Sequence, residues 1–302
     1  MKKYFVNPET GLLRAGWRIL AFVGVFIAVT VPGMMGVRAI LGSLPKDGDI
    51  QFSIIAVTST IAVFIARKYF DKKSFTSLGL KWDRMAVLDI LSGVVNSALL
   101  MAGVFFVMLW TNLIEFNGFT WWMDEASVDA RFSLSVLPVM FSVLYVLAVV
   151  AWWEELVFRG YLFQNMIAGM GLTWSIVVSS LIFGFGHSMN PDASLLSSVL
   201  IALLTPQLIY AYLKTGQLWL PIGLHLGWNF FQASIFGFAS SGRESPSMIA
   251  QTPVGPEWLS GGEFGPEASI LIVPFTIVSV FLIHYWVRAT RQPGQKFFEI
   301  IA

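Results

Sequence analysis

Five ionisable side chains and one amide stand at helical spacing inside stretches that are otherwise almost wholly apolar: Glu154, Glu155 and Arg159, then His187, then His225 with Asn229. Bringing a charge into hydrocarbon costs at least about 2.5–3.5 kcal/mol on insertion scales, so such residues turn toward a bundle interior and mark a pathway or a reaction centre. Glu155 and Arg159 are four residues apart and pair on one helical face, the acid nearer the N-terminus. Glu154 has no such cation. A carboxylate so placed, in a low dielectric, suits a general base that takes a proton from water and returns it to a leaving amine. As plain structure, the two glutamates form an ion-pair cluster at a helix end.

Phe183 and His187 share a second face, and Gly184 and Gly186 between them let another backbone or a substrate come close. Alone, His187 reads as a hydrogen-bonded packing residue. His225 and Asn229 repeat the four-residue spacing, with Pro221 upstream to bend the helix or open its first turn. Alone, they read as an interhelical polar clamp. Counted along the expected helices at 1.5 Å per residue, Glu154, His187 and His225 lie about 21, 20 and 12 Å from one membrane face, so the three motifs can meet. A carboxylate, two imidazoles and an amide would supply a base, a proton carrier, and an oxyanion or metal ligand.

The elements that position these groups follow from composition. The 302-residue chain is 56% hydrophobic and 12% charged, with a mean hydropathy of +0.71. A water-soluble domain of that composition would expose large apolar patches. The expected fold is an all-α polytopic membrane protein in a single domain, residues 1–302. A net charge of +1 with no basic run among aromatics excludes nucleic acid as a partner. The absence of cysteine excludes disulfides, a thiolate nucleophile, zinc-thiolate sites and iron–sulfur clusters. Arg14 and Arg18 precede the first apolar stretch, whose far end lacks a small-x-small cleavage site; it reads as a retained signal anchor.

Spans of about 20 apolar residues are expected at eight places: 17–37, 50–66, 86–110, 134–168, 174–190, 194–213, 217–239 and 268–288. Gly169 and Gly171, Asn190 and Pro191, and 214–217 punctuate them. With eight spans, fourteen of the 19 Lys and Arg residues fall on one side, whereas Arg38, Lys46, Arg131 and Arg243 fall on the other. Basic residues accumulate on the cytoplasmic side, which puts both termini there. The acidic, tryptophan-bearing loops around Asp124, Glu125 and Asp129 and around Glu257, Glu263 and Glu267 then lie outside. Residues 75–84 read as a structural connector at the interface, Asp89 and Asn96 as polar packing or interfacial groups, and His284 and most of the twelve tryptophans as interfacial.

The pattern resembles the CAAX-protease and bacteriocin-processing (CPBP, or Abi) family of intramembrane endopeptidases. Glu154-Glu155-x-x-x-Arg159 is similar to its first motif, Phe183-x-x-x-His187 to its second and His225-x-x-x-Asn229 to its third, so the resemblance covers residues 134–239, the expected catalytic core. It implies that Glu154 and His187 activate a water, that His225 and Asn229 stabilise the oxyanion, and that Glu155 and Arg159 support them. The family is commonly called metalloprotease, and a metal-free, glutamate-activated water is also argued for it. Two histidines and a carboxylate can make a three-ligand zinc set, with His187 and His225 as ligands if Zn²⁺ or another divalent ion is bound, but no His-Glu-x-x-His helix is present.

The expected function is hydrolysis of a peptide bond in a membrane-associated, prenylated or leader-type substrate, in a bacterial inner membrane, with the bilayer and a peptide or membrane protein as partners. The rival is a non-catalytic polytopic scaffold or immunity protein, or a proton-coupled transporter. No internal inverted symmetry favours transport. Gly-x-Ser-x-Gly and Gly-x-Gly-Asp elements are absent, which leaves serine and aspartyl mechanisms without their groups.

Overall fold

A computed structural model describes residues 2–43, 49–120 and 136–291. Its long helices are α1 (Ala15–Leu41), α2 (Asp49–Tyr69), α3 (Arg84–Trp110), α4 (Val136–Glu154), α5 (Phe163–Gly186), α6 (Leu195–Thr215), α7 (Trp219–Phe230) and α8 (Ile272–Thr290). The chain is a helical polytopic membrane protein: six stretches of the described residues are long and apolar enough to cross a bilayer. The longest, Leu137–Met189, bends at Gly171, whose backbone (φ 77°, ψ 170°) is one that glycine adopts without penalty. The expected break between the fourth and fifth spans therefore falls at a real turn. The seventh is shorter than expected. α7 continues as a π-helix only to Ile235, and the chain then leaves helical geometry. One element departs from all-α: strands β1 (Ile114–Phe119) and β2 (Ile249–Pro253) pair antiparallel outside the bundle. Trp121, Trp122, Asp124, Glu125, Asp129, Arg131, Lys46 and Lys296 lie outside the described residues.

α7 is pressed against α3 backbone to backbone. A Cβ on Gly93 would come within 2.5 Å of the Leu224 amide nitrogen, one on Gly223 within 2.3 Å of the Ile90 carbonyl, and one on Gly227 within 2.7 Å of Val94 Cα. Small residues permit this approach, and packing and polar contacts rather than water-driven association hold helices together in lipid. Ser97 Oγ adds a hydrogen bond to the Leu224 carbonyl at 2.7 Å. The helix bearing His225 and Asn229 thus has one face packed directly on the α3 backbone.

Asp89 and Asn96 are buried packing groups. Asp89 accepts from Trp286 Nε1 at 2.8 Å and pairs with Arg291, tying α3 to the end of α8. Ser279 Oγ donates to Asn96 Oδ1, and His284 Nδ1 lies 3.1 Å from the Tyr210 hydroxyl. Arg18 and Arg67 are more than loop charges. Both bind Asp71, at 3.1 and 2.9 Å, and Arg67 also donates to Gln164, joining α1 and α2 to α5. Residues 75–84 dock on the α6–α7 turn: the Leu218 amide donates to the Gly79 carbonyl and Trp219 Nε1 to that of Lys81, both at 2.8 Å.

Candidate active site

Glu154 closes α4, and the next eight residues, Glu155–Leu162, form a π-helix. π-turns are rare and recur at functional sites, because the wider turn re-aims the side chains on either side of it. Glu155 and Arg159 are fully buried and paired as expected, Arg159 Nη1 donating to Glu155 Oε1 at 2.9 Å. The Arg159 guanidinium lies over the Phe183 ring, 4.0 Å from its centre. Removing either charge would strand the other in a medium that solvates it poorly.

Phe183 links the three motifs. Its ring centre is 4.8 Å from that of His187 and 6.3 Å from that of His225. His187 caps α5, and its Nδ1 is 2.8 Å from the Phe183 carbonyl. A carbonyl only accepts, so Nδ1 carries the proton and Nε2 is left as the basic nitrogen. The two glycines beside it differ: a Cβ on Gly184 would come within 2.4 Å of the Ser198 carbonyl, whereas Gly186 has nothing within 4 Å. Gly184 serves helix packing, and only Gly186 faces open space.

On α7, His225 Nδ1 lies 2.8 Å from Glu155 Oε1 and Nε2 lies 3.8 Å from Glu154 Oε2. Glu155 therefore holds two partners, Arg159 and His225, and fixes the imidazole as a carboxylate does for a catalytic or metal-bound histidine. Glu154 is less isolated than the sequence implies, since His225 faces it. Its Oε2 is nevertheless buried without a hydrogen bond among the described residues.

Glu154, His187, His225 and Asn229 line one cavity of about 420 Å³; Glu155 and Arg159 do not, and act from behind. Its walls are Val146, Leu147 and Val150 of α4 and Ile201, Leu204 and Leu208 of α6. Several lining groups escaped sequence reasoning: Phe52, Trp153, Gln207, Trp228, and the turn at Ser240–Glu244 with Glu267. Glu267 is buried and accepts from the Ser241 amide and hydroxyl, both at 2.7 Å. It belongs to the roof of the cavity, although its surroundings in the sequence read as an exposed acidic loop. Trp153 and Trp228, two of the twelve tryptophans, line the cavity. Only spacing relative to the motifs, one residue before Glu154 and one before Asn229, marks them in the sequence.

Among the described residues no group of three or more His, Cys, Asp or Glu side chains is placed to hold an ion. His187 Nδ1 and His225 Nδ1 are engaged by a carbonyl and a carboxylate, which orients both rings and leaves each Nε2 available toward the cavity. The three-ligand set that a catalytic zinc uses is not assembled among the described residues.

Residues 135–231 match a family model described as type II CAAX prenyl endopeptidase Rce1-like. That interval contains all six motif residues. No curated protein and no solved structure matches the chain.

Proposed function

We propose that the chain, whose residues 135–231 match the Rce1-like family model, is a glutamate-dependent intramembrane endopeptidase. One observation carries the reading: a base, two imidazoles and an amide from three separate helices line a single cavity. Glu154 removes a proton from a water, assisted by His187 Nε2, and the water oxygen forms a bond to the carbonyl carbon of the scissile peptide. The oxyanion that develops is met by the Asn229 amide and by Nε2–H of a doubly protonated His225, whose Nδ1–H stays on Glu155. Glu154 then hands its proton to the amine nitrogen as the carbon–nitrogen bond breaks. Glu155 and Arg159 are positioning residues. With His225 protonated, the two acids and the two bases of this cluster balance in charge, which an apolar surrounding favours.

The Gly171 bend and the α7 rod support eight crossings, with both termini cytoplasmic by the distribution of basic residues. The whole chain is one membrane domain around a core at 134–239, placed in a bacterial inner membrane. The substrate is a membrane-associated peptide of prenylated or leader type, because the cavity walls beside the carboxylate are aliphatic.

The test is cleavage of a library of membrane peptides by the purified protein, beside Glu154→Ala and His187→Ala, with and without a strong chelator. Wild type cuts, both variants are inactive though folded, and the chelator has no effect. A library left intact by wild type would sink the reading in favour of a scaffold or transporter. Loss of activity with chelator, restored by added metal, would replace the glutamate-only mechanism.

A further inference from the structure

Resting on the peptidase reading, we infer that Gln207 and Trp228 form a subsite that grips the backbone of the substrate beside the scissile bond. Both side chains are 7% exposed and both line the catalytic cavity. Gln207 Oε1 and Trp228 Nε1 are buried with no hydrogen-bond partner among the described residues. Buried polar groups are nearly always paired, and each exception calls for a reason. Here one orphan is an acceptor and the other a donor, the complement of a peptide N–H and a peptide C=O.

Their placement suits that role. α6 and α7 supply adjoining walls. Leu200 and Leu204 cluster with Trp228, and Leu208 clusters with Leu220 and Leu224. Gln207, beside Leu208, thus sits toward the end of the cavity near Leu224, whereas Trp228 lies between His225 and Asn229 in sequence. The wall beside them carries Ile201, Leu204 and Leu208 as well as Thr205, so an extended peptide entering there loses water from its backbone, which the two orphans can partly replace. Recognition through N–H and C=O reads the main chain rather than particular side chains. The substrates it fits are extended apolar segments of varied sequence.

The test uses Glu154→Gln protein in detergent, so that binding is read without turnover, and a panel of fluorescent apolar peptides. Gln207→Leu and Trp228→Phe each weaken binding of the tightest peptide about tenfold, the weight of one hydrogen bond. Amides of that peptide are then replaced one at a time by esters, which deletes a single N–H. One ester weakens binding about tenfold to the Gln207 protein and leaves binding to Gln207→Leu unchanged, a coupling that a merely structural glutamine cannot give. Equal losses in both proteins at every position, or no peptide bound at all, overturns the subsite. Peptides that bind with this coupling but that wild type never cleaves would leave the subsite standing and remove the peptidase reading instead.

Discussion

His225 Nδ1 and Glu155 Oε1 are 2.8 Å apart, and the same oxygen accepts from Arg159 Nη1 at 2.9 Å. The adjacent glutamates of the first motif therefore have different duties. Glu155 is consumed by orienting the imidazole and neutralising the guanidinium, which leaves Glu154 alone facing the cavity.

Glu154→Gln keeps the shape of the side chain and removes the base. Cleavage is expected to fall by at least about 10²-fold, the lower limit usual for a lost general base, while the melting midpoint in detergent stays within error of wild type. Initial rates beside a thermal melt check this; comparable activity in the variant excludes Glu154 as the base.

Glu155→Gln leaves Arg159 buried without its counter-charge and is expected to cost about 3–5 kcal/mol of stability. The double variant Glu155→Gln, Arg159→Met recovers most of that loss yet remains inactive, because His225 no longer has its carboxylate. Denaturant unfolding together with cleavage assays separates the two effects. An active double variant would show that orientation of His225 is unimportant.

Gly184→Ala and Gly186→Ala should part company. At Gly184 the new methyl meets the Ser198 carbonyl at 2.4 Å and Ala202 at 2.7 Å, so α5 and α6 must separate, at about 1–3 kcal/mol. At Gly186 it meets nothing within 4 Å, and stability is unchanged. Paired melts of the two proteins give the comparison, and equal losses would contradict the close α5–α6 contact.

Asp83 caps α3, accepting from the amides of Met85 and Ala86 at 2.9 and 3.1 Å. The hydrogen bond from Lys81, more than these amides, holds its carboxyl below the usual carboxylate range. In acid the folded chain binds this proton less readily than the unfolded one. The stabilisation is thus complete above the ordinary carboxylate value and disappears as pH falls through the depressed one. Asp83→Ala is expected to lower stability by about 0.5–2 kcal/mol at neutral pH, and by progressively less in acid. Melts across pH, read as the difference from wild type, show whether the gap closes.

The motif pairs were legible because helical periodicity is local: Glu155–Arg159 and Phe183–His187 meet at the spacing that a single turn imposes. Convergence was legible from depth, since counting along the expected helices put the three motifs about 12–21 Å from one face. Which glutamate His225 would choose was not, because that depends on the π-helix at Glu155–Leu162, and no local signal marks a wider turn. Glu267 and Gln207 were missed for a related reason. An acid in a Gly- and Pro-rich loop and an amide in an apolar helix look alike whether they face water, lipid or a cavity, and only the tertiary fold decides. The two-stranded β1–β2 pair joins segments more than a hundred residues apart, beyond the reach of any window-based pattern.

The glycine contacts between α3 and α7 make the catalytic cavity a vise with one fixed jaw. Gly223 and Gly227 seat α7 directly on the α3 backbone, so the face behind His225 and Asn229 has no space to back into. Width for a bulky substrate must come from the opposite side, where α4 presents Val146, Leu147 and Val150, and from the turn at Ser240–Glu244 above it. The groups that would meet the oxyanion are held still, and the compliance is confined to the walls that meet the side chains.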